Sequence, residues 1–573
     1  MIKHIFIDHR DRFILFIFPL ILISINSNWI FTPVTNYVPD PWFYLGYFRY
    51  FYNYAPVYPS NTHYFVERLT WNIPGYYLYK TFPPLLANHI LHLVVYYIAV
   101  FSLYGTLNLI FNRRTALISA LLMGSYPWFL RATGWDYTDG TGIAHMLFLI
   151  FLLTLAQYSS RWRVWLLLAG VVHSSLLITN LFWFGFIPSW VFYFLILNIQ
   201  TKKFEIKQFI LPASYFLLGN LVIVGIAGLF YYWVTGNYYF LTNTVRFSVI
   251  LSSDEGNRNT VITIYRHMRP YWHIVPAIVA LISTSQVWLS KRGKKHYSFT
   301  AIYLLFLTAY GWLIFWHFYS IPLLTVFTYS SYVIPAVFLM LGALFSKFFD
   351  EFSCRQFEAF ILISIILLIL PLIVLNIIPS IEDLQGNRFL ILCFSLMLLT
   401  ILIIPQKRIP LVTTMLTLSF LFYLVGEKAY VYISNPLKGQ DNFMAVVSAS
   451  DILDSYYSIH EYKDFRLWFR ADGNYDAFFS LASLYLYPWG STLGEPFSGR
   501  AAPSELTLVK RDILHEGDDV VIISSNPKSN EILNEGNHSI SHRNAKLKLI
   551  TSKTIQQGSV RFFLYFTKVS IFH

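Results

Sequence analysis

The stretch Asn36-Tyr37-Val38-Pro39-Asp40-Pro41-Trp42-Phe43-Tyr44 directly follows the first apolar run of the chain. It opens a long aromatic segment, 32–85, with Glu67 and Arg68 near its middle. A carboxylate at the edge of a hydrophobic span, in a segment too apolar for a simple linker, points to a reaction site at a bilayer surface. The remaining chain either builds a scaffold under this segment or adds polar groups that face it.

The composition sets the class. Of 573 residues, 56% are hydrophobic and only 13% charged, about half the charged share of an ordinary soluble protein. Apolar runs long enough to cross a bilayer recur from residue 13 to residue 433. Aromatics make up 19%, and Tyr and Trp favour the membrane–water interface. The net charge of +12 does not indicate nucleic acid, because the basic residues sit in short loops between apolar runs. The basic start, Met1 to Arg12, lacks a small-residue cleavage site, so the first span reads as a retained helix rather than a signal peptide.

Spans are expected near 13–31, 86–111, 115–130, 141–158, 163–180, 181–200, 208–234, 271–290, 298–319, 322–346, 357–379, 388–405 and 409–433. The apolar run from Val164 to Ile199 is split at Thr179-Asn180, since one helix of that length would overshoot the bilayer. The fold class is therefore mainly α, a polytopic membrane protein of about thirteen transmembrane helices with a small α/β C-terminal domain. The basic groups Arg10/Arg12, Arg113/Arg114, Arg161/Arg163, Lys202/Lys203/Lys207, Lys291/Arg292/Lys294/Lys295, Lys347/Arg355 and Lys407/Arg408 all fall on one side of this layout. The positive-inside rule makes that side cytoplasmic. The N-terminus is then inside, and the tail from residue 434 is extracytoplasmic. Cys354 and Cys393 fall on opposite sides, so no disulfide is expected. In the tail, Asp441–His460 reads as a helix, Asp518–Ser524 as a strand, and Leu547–Thr554 with Val560–Val569 as a terminal hairpin.

Three outer segments set carboxylates beside aromatics: Asp40, Glu67-Arg68, and Asp136 with Asp139 in Gly134-Trp135-Asp136-Tyr137-Thr138-Asp139-Gly140. Were that last turn helical, Asp136 and Asp139 would share a face, and Asp139 also suits a helix cap. Arg68, Arg131, Arg246, Arg258, Arg266 and Arg269 lie on the outer side, against the positive-inside bias. The guanidinium fork matches phosphate oxygens. Set around carboxylates, such arginines suit a lipid phosphate, with headgroup contact or local ion pairs as the bland alternative. His89 and His92, three apart, are half a metal site at most and read better as interfacial packing. No Asp, Glu, Lys or Arg lies deep in a span, which disfavours an ion-coupled transporter.

The membrane part resembles the GT-C superfamily of integral-membrane glycosyltransferases, within it the protein-mannosyltransferase and aminoarabinose-transferase-like group. The general likeness is the many-helix layout with an acid opening the first outer segment and an acidic motif in the second. The more specific likeness is Arg68-Leu69-Thr70-Trp71-Asn72-Ile73-Pro74-Gly75-Tyr76 followed by Phe82-Pro83-Pro84-Leu85. The tail is not covered. The resemblance implies a polyprenyl-phosphate-linked sugar donor, a glycan, lipid or protein acceptor, and inversion at the anomeric carbon. It implies Asp40 as general base, Glu67, Asp136 and Asp139 as further acids, and Arg68, Arg131, Arg246, Arg266 and Arg269 near the phosphate. Tyr44 and Trp71 are expected to line the sugar. It leaves a divalent metal, Mg or Mn, open; no metal ligand is assigned. Two rivals stay in view: a polymerase or ligase acting on lipid-linked glycans, and a lipid or solute transporter or flippase.

Overall fold

The computed structural model describes residues 9–25, 40–57, 64–201, 207–253, short pieces between 276 and 284, 294–319, 327–349, 439–459, 465–469, 516–540, 545–558 and 560–571. The expected spans at 357–379, 388–405 and 409–433, most of 271–290, and both cysteines lie outside these residues.

Helices dominate the first 349 residues. Six described helices are long and apolar enough to cross a membrane: Pro84–Ile110, Thr138–Tyr158, Trp162–Thr179, Leu181–Ile199, Phe209–Thr235 and Tyr297–Phe318. The chain is a multi-pass membrane protein. The longest apolar stretch divides at Asn180, which caps the helix Trp162–Thr179 and accepts a hydrogen bond at Oδ1 from the amide of Phe182, 3.1 Å away. A short 3-10 turn, Leu181–Phe186, then re-aims the chain into Ile187–Thr201.

Two expectations change. The region 115–130 is not one span but two helices, Arg113–Ser125 and Pro127–Gly134. Pro127 lacks an amide hydrogen and starts the second helix, as proline favours, while the Tyr126 amide bonds back to Met123. The segment 32–85 is not an open loop where it is described. It folds as the helix Asp40–Val57, a 3-10 turn at Tyr64–Glu67 and the helix Leu69–Thr81. Its aromatics fill the core: Trp42, Tyr44, Phe48, Phe51 and Trp71 are all buried.

Several polar side chains within the spans bond locally or across helices, as a hydrocarbon environment favours. Thr106 and Thr154 hydroxyls bond to carbonyls four residues back. His173 Nδ1 lies 2.7 Å from Asn220 Oδ1 on the facing helix. These two helices touch backbone to backbone. A Cβ on Gly170 would lie 2.0 Å from the Phe216 carbonyl, and one on Gly219 equally close to that of Leu167; small residues make such close crossings possible. At the far end of the bundle, buried Asp11 receives both Nε and Nη2 of Arg113, at 2.6 and 2.7 Å, and the Tyr104 hydroxyl. This ties the first helix, His9–Ile25, to its neighbours.

The tail forms four described strands, β1 Phe465–Phe469, β2 Asp519–Ser524, β3 Ala545–Gln557 and β4 Val560–Ile571, in the order β1-β2-β4-β3. β1 and β2 run parallel; β4 is antiparallel to both its neighbours. The strand alternation sorts its side chains to two faces. Val521 and Ile523 join the core shared with the helix Gly439–Ile459, whereas Val520 and Ile522 pack with Leu547 and Tyr565 beside the helix Ser529–Ile540.

Candidate active site

One end of the bundle gathers the starts of Pro84–Ile110 and Thr138–Tyr158 and the end of Trp162–Thr179. The segment 40–81 packs there. Its centre is Arg68, which caps the helix Leu69–Thr81 and is 4% exposed. One Nη donates to the Tyr44 hydroxyl at 2.5 Å and to Thr138 Oγ1 at 2.8 Å. The guanidinium also lies 4.7 Å from the Tyr64 ring centroid and 5.8 Å from that of Tyr137, a cage of ring faces favourable for a cation. Guanidinium does not lose its proton in a protein, so this is a fixed positive charge in a dry, aromatic site.

Three carboxyl groups surround that region, all with no exposed surface. Glu67, next to Arg68 in sequence, points away from it. Its oxygens accept from the amides of Asn243 and Thr244 and from the Thr244 hydroxyl, at 3.2, 2.8 and 2.5 Å. Burial pushes the Glu67 pKa up, while those hydrogen bonds and Arg68 pull it back. Glu67 thus fastens the helix Thr242–Ser253 to the 64–67 turn.

Asp136 and Asp139 do not share a helical face. Tyr137, between them, is extended (φ −136°, ψ 166°), and the helix begins only at Thr138. Asp136 turns to the helix Pro84–Ile110, where Oδ1 lies 3.1 Å from His92 Nε2 and Oδ2 accepts from Asn88 Nδ2 at 3.1 Å. Tyr79 in turn donates to Asn88 Oδ1 at 2.5 Å. Burial raises the Asp136 pKa; the neighbouring His92 and these two hydrogen bonds oppose it. Asp139, in the first helical turn, accepts from Trp135 Nε1 at 2.7 Å, and its Oδ2 has no side-chain partner among the described residues. Arg131 is close enough to act on this carboxyl and lies over the rings of Trp128 and Trp135, at 5.8 and 5.9 Å. Across the site Tyr332 stacks on Trp183 at 4.2 Å and accepts from Asn180 Nδ2 at 2.7 Å. Both Asp139 and Arg68 act on its hydroxyl, which places all three in one neighbourhood.

No family model and no curated protein sequence matches the chain. Solved structures do. A crystal structure of ArnT from Cupriavidus metallidurans bound to undecaprenyl phosphate aligns over 97% of this chain and 98% of that one, with TM-score 0.50 and 12% identity. The Archaeoglobus fulgidus oligosaccharyltransferase in the apo form aligns over 90% of this chain and 69% of that one, with TM-score 0.43 and 12% identity. The chain has the GT-C fold.

Within this GT-C frame, the first segment and the second acidic motif come together as the sequence suggests, through the Arg68–Thr138 bond. Asp40 heads the helix Asp40–Val57, a position where a negative charge is favoured by the helix dipole. Tyr44 and Trp71 are buried wall rather than open surface: Tyr44 supports Arg68, and Trp71 stacks on His92 with ring centroids 6.4 Å apart. Arg246 is exposed on Thr242–Ser253. Arg258, Arg266 and Arg269 lie outside the described residues.

His92 has a larger part than interfacial packing. It is buried against Asp136, not at the interface. Its spacing from Asn88, four residues on a helix and therefore one face, was the available signal. His89 instead turns to its own helix and bonds the Leu85 carbonyl. Among the described residues no three His, Cys, Asp or Glu side chains converge. Glu67 and Asp136 already spend their oxygens on protein partners.

Proposed function

We propose that the protein is an inverting membrane glycosyltransferase that moves a sugar from a polyprenyl-phosphate donor to an acceptor hydroxyl at the outer face of the membrane. The observation that carries this reading is Arg68. A permanently charged guanidinium is held by tyrosines and Thr138 at the mouth of a GT-C bundle, with buried carboxyls beside it. A cation so placed suits a leaving lipid phosphate, whose negative charge grows as the glycosidic bond breaks. Preorganised donors in a low-dielectric site stabilise such charge more in the transition state than in the ground state. ArnT, which shares the fold, was crystallised with undecaprenyl phosphate, and this supports the lipid class.

Asp40 is assigned as the general base that takes the proton from the acceptor hydroxyl, a role worth roughly 10²–10⁴ in rate. Asp139, with one carboxyl oxygen uncommitted to any side chain, is assigned to a hydroxyl of donor or acceptor. Arg131 supports Asp139. Glu67 and Asp136 act at one remove, as struts for Thr242–Ser253 and for His92.

The test is sugar transfer from a polyprenyl-phosphate donor pool in membranes holding wild type or Asp40→Asn. Loss of transfer at normal expression supports Asp40 as base. Undiminished transfer removes Asp40 from catalysis and moves the search to Asp139. Absence of transfer by the wild type from every donor tried reopens the transporter reading.

A further inference from the structure

The C-terminal region meets the bundle at the helix that begins with Asp40. Arg49 Nη2 lies 2.6 Å from Asp454 Oδ2 and 3.2 Å from Asp451 Oδ1. The Tyr50 hydroxyl donates to Asp454 Oδ2 at 3.1 Å. Both partners sit at a break in the helix: Tyr50 has φ −129° and ψ 36°, outside helical values. About two turns earlier, Trp42 stacks on Phe443 of the tail helix, with centroids 6.5 Å apart. Seven residues separate Trp42 from Arg49, about 10 Å of helix, and eight to eleven separate Phe443 from Asp451 and Asp454, about 12–16 Å. The two helices therefore run side by side in the same direction, with an aromatic contact at one end and a charged contact at the other.

The acids are placed for an incoming cation. Asp451 and Asp454 are three apart on one helix face, where like charges repel. The cation comes from 402 and 405 residues away in sequence. Arg49 is mostly covered, with 16% of its side chain exposed, whereas Asp451 and Asp454 are 65% and 46% exposed, so the contact is covered on the arginine side and open to solvent on the acid side. The tail helix is itself braced on the sheet. Ser448 accepts from Gln557 at 2.9 Å, and Tyr456 stacks on Phe566 at 4.1 Å. A chain of contacts thus runs from the sheet through the tail helix to the helix that begins at Asp40 and carries Tyr44, and Tyr44 accepts from Arg68.

We infer that the tail is a positioning clamp. Asp451 and Asp454 grip Arg49 and Tyr50 at the break, fixing the half-helix 40–49 so that Asp40 and the Tyr44–Arg68 pair keep a set spacing. Arg49 is a positioning residue, not a catalytic one. The kinetic part of this inference rests on the glycosyltransferase reading; the mechanical part does not.

The experiment is hydrogen–deuterium exchange of the full-length protein in detergent, alongside transfer kinetics with a tritium-labelled, polyprenyl-phosphate-linked hexose. The variants are Arg49→Gln, Arg49→Lys, Asp451→Asn with Asp454→Asn, and the swap Arg49→Asp with Asp454→Arg. Expected is faster exchange confined to residues 40–57 in Arg49→Gln and in the double Asn variant, with recovery in Arg49→Lys and partial recovery in the swap. Expected with it is a fall in kcat on the order of 10–100-fold at nearly constant KM, as for a displaced catalytic group. Unchanged exchange at 40–57 in the double Asn variant overturns the clamp, whatever the kinetics. Faster exchange with kcat intact overturns the positioning role. A rise in KM alone does the same and makes the tail a substrate-binding element. A wild type that exchanges as expected but transfers nothing from this or any other polyprenyl-phosphate donor tried sinks the glycosyltransferase reading and the kinetic half of the inference, while leaving the clamp standing.

Discussion

Replacing Arg68 by alanine would remove a buried charge and strand the hydroxyls of Tyr44 and Thr138, which are both buried and bonded to it. If the guanidinium stabilises the leaving phosphate, transfer should fall by about 10²–10³. Arg68→Lys keeps the charge but loses the planar fork, so it should fall between the two. Single-turnover rates on the three proteins check this ordering. A lysine variant as slow as alanine would mean that geometry, not charge, is what the site needs. The adjacent Glu67 shows how little sequence neighbourhood says at this scale. It faces a different helix, and its partners are 176 and 177 residues away.

At the scale of elements, two contacts decide whether the acids reach the site. The helix that starts at Thr138 packs on Pro127–Gly134 through Gly140. A Cβ there would lie 2.3 Å from the Ala132 carbonyl oxygen, and backbone does not yield as a side chain does. Gly140→Ala should cost about 1–3 kcal/mol through overpacking, read as a lower midpoint of thermal unfolding in detergent, with Asp139 displaced and transfer reduced. The second contact is the Glu67 anchor. Thr244→Val deletes a hydroxyl that bonds a buried carboxylate, at an expected cost of about 1–3 kcal/mol. Ser248→Ala is the control. That hydroxyl bonds only to the Thr244 carbonyl of its own helix, and its loss should stay within about 0.5 kcal/mol. Equal effects from the two changes would show that the anchor contributes nothing beyond helix propensity.

At the scale of the molecule, the arrangement of basic loops predicts a single orientation. In a background with Cys354 and Cys393 replaced by serine, Lys528→Cys should react with a membrane-impermeant maleimide in intact cells. Lys528 is 70% exposed in the tail. Arg161→Cys, in the exposed turn before Trp162–Thr179, should react only after the cells are opened. The reverse pattern would put the carboxyls on the cytoplasmic side and remove the outer-face donor from the mechanism. The clamp between tail and bundle belongs to this scale too, because it joins the last quarter of the chain to its first helix after the membrane entry.

The sequence by itself determined the six apolar spans among the described residues, the break at Asn180 and the presence of a β-containing tail. Hydrophobic runs, the Asn180 cap and the apolar stretch Val520–Ile523 all act over a few residues, and a local signal is readable locally. It also drew attention to polar positions at span ends, where a charged residue is costly unless something uses it. What only the tertiary structure decided was pairing: Asp136 with His92, Glu67 with Thr244, Arg68 with Tyr44 and Thr138, Arg49 with Asp451 and Asp454. Each partner is chosen by which helix ends meet once the bundle has packed. Periodicity cannot carry that information, because it says which face of a helix is apolar and not which neighbour will cover it. The segment 32–85 marks the same boundary. Its aromatics read as an interfacial loop until other elements supplied the faces against which they are buried.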